Sequence, residues 1–507
     1  MKNIWSRLLT LTLALLMVLS CLALVGCKDD KTDDPKDPVD PGVTPGTNPD
    51  DPAENDYLMS IPKQNYGKTF TFLSDVGEDI VHELYFANED EALGNTVHTS
   101  IFYRNERVAE HLGVTFASIT TPGRWAERAD YINRMFQSYS TGEQDYQLAS
   151  VYMAFASEGA IKGYYHDINE IDAIDIDSPW YVQGWLENTV INDHTYMILS
   201  DLSYSMWRNI YVMYFNKQIA DNLGISKELY TLAEATDLTW DYVMEKAEAA
   251  LESDGNDVWD INDTYGFYFM DGSVRSLVTS FDIPMTRLNE DDEYEICILD
   301  EDGRTETIWG EVHSDIHDND FIYIAEQSSK IDDGMTMFMT DRLLFLPATL
   351  GYSQDLREMD GTFGILPMPK YDDNQENYGT HSSDNMNIFI IPAHTTDPEF
   401  CGTVVDALSA ESKFSVIPTF YDVVLKGRTT KDQESIKMLD IVRENLKFDF
   451  AFAHLTAIGT NVGYLYSAFG ESLKKAEESS FTGYYDERGV AFQTDLETVL
   501  NAYWDVR

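Results

Sequence analysis

The sequence predicts an α/β fold, with parallel strands joined by crossover helices. Three strand-like runs open the globular part: Lys68 to Leu73, Val114 to Ala117, and Tyr146 to Tyr152. Each alternates or runs apolar over a strand's length. Two segments of helical spacing separate them, Asn95 to Leu112 and Trp125 to Tyr139. Strand, helix, strand, helix, strand in that order is the pattern of a parallel sheet.

Each element has its own warrant. In the first helix Val97, Ile101, Val108 and Leu112 share a face, and Gly113 supplies a stop. In the second, Ile132, Met135, Phe136 and Tyr139 recur at helical spacing and are expected to face inward. Ligands of such sheets sit beyond the carboxyl ends of the strands. Asp75, after the first strand, and Tyr152, at the end of the third, are therefore expected at a crevice.

Further along, Tyr196 to Leu199 reads as a short strand, and Asn209 to Lys217 is too apolar for a surface loop. Thr239 is a suitable N-cap for a helix whose inner face is Trp240, Val243, Ala247, Ala250 and Leu251. Trp240 reads as a packing residue. Phe338 to Leu346 predicts a strand and Ala348 to Met359 a helix. Phe363 to Lys370 is extended, since Pro367 and Pro369 bar a helix. Asn387 to Pro392 reads as an apolar strand, and the remainder from Asp397 as largely helical. Asp254 to Asp263 and Asn289 to Gly303 read as exposed acidic loops. Within the second, Asp300-Glu301-Asp302-Gly303 lacks the ligand ladder and closing Glu of a calcium loop and reads as an acidic turn.

The N-terminus has a different logic. Lys2 and Arg7 head an apolar run of 17 residues, Leu8 to Leu24, closed by Leu24-Val25-Gly26-Cys27. A charged start, an apolar stretch and a small residue describe a secretory signal. The order Leu-Val-Gly-Cys resembles the lipobox of bacterial lipoproteins. That resemblance makes residues 1–26 a signal peptide and Cys27 the lipidated residue, carrying a diacylglycerol and acyl chains such as palmitate. Two or three acyl chains hold a membrane far better than one. A single-pass anchor is the competing reading, with the run at the lower edge of spanning length. Residues 27–56 are mostly Asp, Pro, Gly, Thr and Lys. Such a segment cannot offset its ordering entropy. It reads as an extended tether, with a partner-binding tail as the alternative. The expected location is the outer face of the cytoplasmic membrane, at a Gram-positive-type cell surface.

The body, from about Tyr57 to Arg507, has 451 residues, enough for three average domains or two large lobes. The chain is 43% hydrophobic and 13% aromatic, with 30 Tyr against 25 Phe and 9 Trp. Tyrosine offers an apolar face with a polar tip, suited to half-wet ligands. The net charge is −53, from 35 basic and 88 acidic residues. That field repels nucleic acid and anionic lipid headgroups. It argues against DNA, RNA and acidic polysaccharides as primary ligands. A solubility adaptation explains the charge without any ligand. With Cys21 in the leader and Cys27 taken as lipidated, Cys297 and Cys401 remain, 104 positions apart. Two lone cysteines make neither a disulfide framework nor a zinc site. They are expected as buried free thiols.

The middle of the chain resembles a known family. Tyr214-Phe215-Asn216-Lys217, then Leu223-Gly224-Ile225, then Thr239-Trp240-Asp241 is similar to a signature of extracellular solute-binding proteins of ABC importers, of the sugar-binding type. Phe363 to Lys370 resembles that family's return strand. Leu425-Lys426-Gly427-Arg428 with Asp432, Glu434-Ser435 and Met438-Leu439-Asp440 looks like a stretch of its lipoprotein branch, and Phe481, Tyr484 and Tyr485 like its end. The resemblance implies a two-lobed periplasmic-binding-protein-like fold (type II), with a hinge of two to three crossing segments and ligand between the lobes. By position, residues 66–200 plus 378–409 form lobe one, and 209–367 plus 411–507 lobe two. The crossings fall at 201–208, 368–377 and about 410. This map puts Cys297 and Cys401 in different lobes, where a bond between them would lock the clamp, which strengthens the free-thiol reading.

The resemblance also guides the candidate ligand residues. A sugar needs rings for its C–H faces and polar groups for its hydroxyls. Tyr204-Ser205-Met206-Trp207-Arg208 lies at the first crossing, so Tyr204 and Trp207 are candidates, with hinge packing as the alternative for Trp207. Tyr352, His381 and Asp384 (in a polar loop), Tyr152, Asp75 and Tyr421, beside Pro418, complete the set. No H-E-x-x-H, G-x-S-x-G or phosphate-binding loop is present. The expectation is a non-enzymatic, monomeric receptor without cofactor or metal. Its partners would be a small polar solute, the permease subunits of an importer, and the membrane through the lipid. A surface glycan-processing enzyme, or a glycan-binding lipoprotein without transport, is the alternative.

Overall fold

The computed structural model describes residues 56–76, 82–256, 258–299, 302–325, 331–359, 361–425, 433–457 and 463–505. The expected signal peptide, Cys27, nearly all of the tether, and Asp300-Glu301 lie outside them. The described strands are β1 (Lys68–Val76), β2 (Val114–Pro122), β3 (Leu148–Tyr152), β4 (Tyr211–Asn216), β5 (Tyr265–Phe269), β6 (Thr286–Leu288), β7 (Tyr294–Ile296), β8 (Ile322–Ile324), β9 (Leu343–Thr349), β10 (Phe363–Leu366) and β11 (Asn387–Ile390).

They form two main sheets and a hairpin. The first sheet has the order β11-β3-β1-β2. β1 pairs in parallel with β2 along its whole length, from Lys68 beside Val114 to Val76 beside Pro122. β3 lies parallel on its other side, and β11 runs antiparallel to β3. Phe70 and Phe72 are fully buried, and Phe116 stacks on Phe72 at 5.3 Å. The second sheet has the order β10-β4-β9-β5-β8. β5 is parallel to both β8 and β9, whereas β4 is antiparallel to β9 and β10. All six residues of β4 are buried, as a strand covered on both faces requires. β6 and β7 form the hairpin, so part of the expected acidic loop 289–303 is strand.

Local signals act where the sequence placed them. Asn95 caps the helix Thr96–Leu112, accepting from the Val97 and His98 N–H groups. Gly113 closes it at φ 64°, a left-handed conformation that favours glycine. Thr239 caps Trp240–Ala249. Trp240 is 1% exposed, packed edge-on to Phe267 and Phe281, with Nε1 donating to Asp315 at 2.7 Å. Cys297 and Cys401 are both buried thiols, not bonded to each other. Burial pushes the Cys401 thiol up to about 11.

Several elements differ from the sequence reading. After a 3₁₀ turn at Trp125–Glu127, the helix Arg128–Thr141 buries Tyr131, Ile132, Met135 and Ser138. Phe136 and Tyr139 lie on the next stripe round, 46% and 41% exposed, and pack on Tyr164 instead. Tyr196 to Leu199 is not a strand; Ile198 makes a single bridge to Phe389. Phe338 belongs to the helix Ile331–Met339, and β9 starts only at Leu343, after a turn with Asp341 at φ 57°. β9 runs on to Thr349, and a 3₁₀ helix, Leu350–Glu358, replaces the expected α-helix. β11 stops at Ile390.

Two stretches link the sheets, and a later helical run touches both halves. Residues 201–208 lead into β4 through the short helix Tyr204–Arg208, and 368–377 lead from β10 toward β11. Ala410 lies inside the helix Pro398–Glu411. That helix continues through a π turn, Ser412–Val416, into Ile417–Leu425. Its first part is held to the helix Thr96–Leu112: Arg107 pairs with Glu411 at 2.5 Å and Arg104 donates to Ser412 at 3.1 Å. Its last part packs on both that helix and the 3₁₀ helix Leu350–Glu358, and Arg357 donates to the Val423 carbonyl.

Candidate functional site

Parallel pairing places the carboxyl ends of β1, β2 and β3 on one edge. Asp75, the Gly123-Arg124-Trp125 turn and Tyr152 therefore cluster. Gly123 is needed there: a Cβ would lie 2.6 Å from the Asp75 Cβ and 2.7 Å from the Tyr131 ring. The end of β9 and the 3₁₀ helix after it face this edge. Between them lies a cavity of about 630 Å³. Arg124, Trp125 and Tyr152 line it from the first sheet, with Asn95 and His98 from the adjacent helix start. Thr349, Tyr352 and Asp355 line it from the second. Tyr204, Arg208, Asn209 and Asn385, from the segments between the two sheets, also line it. Gly351 lets the wall approach, since a Cβ there would meet the Arg208 Cγ at 2.9 Å.

The first-sheet wall is a chain of polar contacts. Asp75 is 3% exposed and accepts from the Ser150 hydroxyl at 2.8 Å. Its other oxygen lies 3.6 Å from the Arg124 Nε. Burial pushes the Asp75 carboxyl up, and the Arg124 charge opposes this. Arg124 donates to the Asn387 side chain at 3.3 Å and lies 4.8 Å over the Tyr152 ring. The Tyr152 hydroxyl donates to Asp384 at 3.4 Å. Burial holds that hydroxyl well above the usual tyrosine range. His98 is pushed down to about 4, by burial first and then by the fields of His82 and Arg208, so it is neutral near pH 7. Trp125 is 48% exposed, with the Arg128 guanidinium 4.5 Å from its ring centre.

Tyr152, Tyr204 and Tyr352 thus line one cavity. Asp384 touches it through Tyr152. Asp75 backs Arg124 and lines an adjoining cavity of about 500 Å³ that also meets His98. Three candidates lie elsewhere. Trp207 is 2% exposed and donates to Asp201 at 3.1 Å. Tyr421 packs edge-on to it at 5.9 Å, and Arg443 stands 5.2 Å from its ring centre. His381 is 4% exposed, stacks on Tyr211 and is hydrogen-bonded to the Tyr466 hydroxyl. Burial pushes His381 down to about 3. It lines a different cavity of about 350 Å³, with Thr279 and Phe452.

Arg124 and Trp125 were not among the sequence candidates. The carboxyl-end rule that selected Asp75 and Tyr152 applies equally to β2, and would have found them. Arg208 lay inside the highlighted Tyr204–Arg208 cluster. Asn95 was read only as a helix start. Among the described residues no group of three or more His, Cys, Asp or Glu is placed to hold a metal ion.

No protein-family model and no curated protein matches the chain. Solved structures do. One is the galacto-N-biose-/lacto-N-biose I-binding protein of the ABC transporter from Bifidobacterium longum, in complex with lacto-N-biose. It is 12% identical, covers 86% of this chain and 97% of its own, and superposes with a TM-score of 0.53. Another is a periplasmic oligogalacturonide-binding protein from Yersinia enterocolitica, 12% identical, covering 85% of this chain and 100% of its own, with a TM-score of 0.52. The mixed α/β architecture described above is the two-lobed fold of these transporter binding proteins.

Proposed function

We propose that this chain is the extracellular capture subunit of an ABC importer. It takes a small polar solute, a sugar or oligosaccharide, between its two lobes and hands it unchanged to a membrane permease. The single observation that carries this is the cavity walled from both sheets and from the segments that link them. A ligand bound there contacts both lobes at once, so it favours the closed arrangement through differential contacts. The chemistry of the wall suits a saccharide. Trp125, Tyr152, Tyr204 and Tyr352 offer aromatic surface; Asn95, Arg124, Arg208, Asp355 and Asn385 offer hydrogen bonds. On this reading residues 1–26 direct export, Cys27 bears the lipid on the outer membrane face, and the acidic tether keeps the monomeric body clear of it. The sequence motifs support that placement.

Calorimetry across a panel of oligosaccharides, with small-angle scattering on the same samples, tests the proposal. Saturable binding together with a smaller radius of gyration is expected. Binding without compaction would overturn the clamp. Conversion of a glycan during prolonged incubation would favour the processing-enzyme alternative.

A further inference from the structure

Resting on the capture reading above, we propose that the cavity selects saccharides bearing a carboxylate, and that Arg208 and Arg124 read that group. Arg208 is a half-buried part of the cavity wall, and no described carboxylate forms an ion pair with it. Burial pushes the neighbouring Tyr204 hydroxyl up, and the Arg208 charge opposes this. Arg124 presents a second guanidinium whose Nε and Nη2 are buried without a hydrogen-bond partner. Asp75 stands 3.6 Å from that Nε, an ion-pair distance but too long for a hydrogen bond.

Among the described carboxylates, Asp75 alone stands at ion-pair distance from either guanidinium. Asp355 is exposed, and Asp384 already accepts from Tyr152. His98 is neutral near pH 7. The planar guanidinium matches a carboxylate through paired, charge-assisted N–H bonds, which a neutral hydroxyl does not reproduce. Closing the lobes on a neutral sugar would bury Arg208 without a counter-charge, which is costly. An acidic sugar supplies the missing partner. The chain's charge of −53 opposes such a solute from afar. Salt screens exposed charges beyond about 8 Å, so contacts inside the cavity decide.

The test compares digalacturonate, trigalacturonate and diglucuronate with their methyl esters and with neutral maltose-series sugars, by calorimetry on the purified protein at two salt concentrations. Esterification keeps the sugar and removes the charge. At least one acid is expected to bind about ten- to a hundredfold more tightly than its ester, a gap that narrows with salt. Arg208→Gln and Arg124→Gln should each shrink that gap, and Arg208→Lys should restore part of it. Thermal melts confirm that each variant is folded. If Arg208→Gln does not fold, Arg124→Gln and the ester comparison on the unaltered protein still decide. Esters or neutral sugars binding as tightly as acids would overturn this inference and leave sugar capture intact. No binding by any saccharide would overturn the capture reading and this inference with it.

Discussion

The carboxylate of Glu83 accepts the backbone N–H of Ser205 at 2.7 Å, pinning the linking helix Tyr204–Arg208 to the first sheet's half of the molecule. The same carboxylate accepts from the Ser205 hydroxyl at 3.0 Å and the Asn387 amide at 2.7 Å. Burial raises Glu83 from the usual 4.5 to about 7, although the three hydrogen bonds favour its charged form. Asp75, nearby, pushes it the same way. The folded state therefore holds this proton more tightly than the unfolded chain. The resulting stabilisation is complete below pH 4.5 and is lost as pH rises through about 7. Glu83→Gln removes the titration. Its melting temperature should gain on the unaltered protein between pH 4.5 and 7.5, measured by calorimetry at fixed salt. A gap that stays constant with pH would show that Glu83 does not titrate in this window.

Gly123 is expected to tolerate no side chain. Gly123→Ala drives a methyl into the Asp75 Cβ and the Tyr131 ring. Overpacking of this kind costs about 1–3 kcal/mol. Chemical denaturation should read that loss, and solute affinity should fall too, because Arg124 and Trp125 follow directly in the chain.

Trp207 and Tyr352 should respond oppositely to truncation. Trp207 is packed among Asp201, Tyr421 and Arg443 and lines none of the cavities described above. Trp207→Ala should cost about 3–5 kcal/mol of stability, as a large buried ring does. Tyr352 is half-buried at the cavity wall. Tyr352→Ala should leave the melting temperature nearly unchanged and weaken solute binding about tenfold, a loss of about 1.4 kcal/mol. Equal losses of stability in both variants would remove the distinction.

Cys27→Ser should release the protein. Without the acyl chains, the expressed protein should leave the membrane fraction and cease to incorporate labelled palmitate. Retention in the membrane fraction without label would instead support the single-pass anchor.

Much of this fold was legible because its signals are local. Asn95 and Gly113 bracket a helix by their own chemistry, and the alternation around Phe70 and Phe72 marks a strand whatever surrounds it. Phe136 and Tyr139 misled because an apolar residue one stripe from the inner face keeps helical spacing while pointing outward. Their contacts to Tyr164 depend on a distant segment. The 3₁₀ helix after Thr349 had apolar content without a pattern that separates it from an α-helix. In the candidate site, aromatic residues were conspicuous, but rings that pack and rings that line a wall look alike in sequence; Trp207 and Tyr352 are such a pair. Arg124 carries no periodicity at all. Only the shared edge of three parallel strands brings it to the cavity.

The continuous helical run from Pro398 to Leu425 touches both halves of the molecule. Its first part lies against the helix Thr96–Leu112, and its last part, Ile417–Leu425, touches both that helix and the 3₁₀ helix Leu350–Glu358. The wider π turn at Ser412–Val416 interrupts its regular ladder. If the halves close on a solute as proposed above, this run has to bend or slide against one of them. The five residues without a regular α ladder are where a bend would meet least resistance.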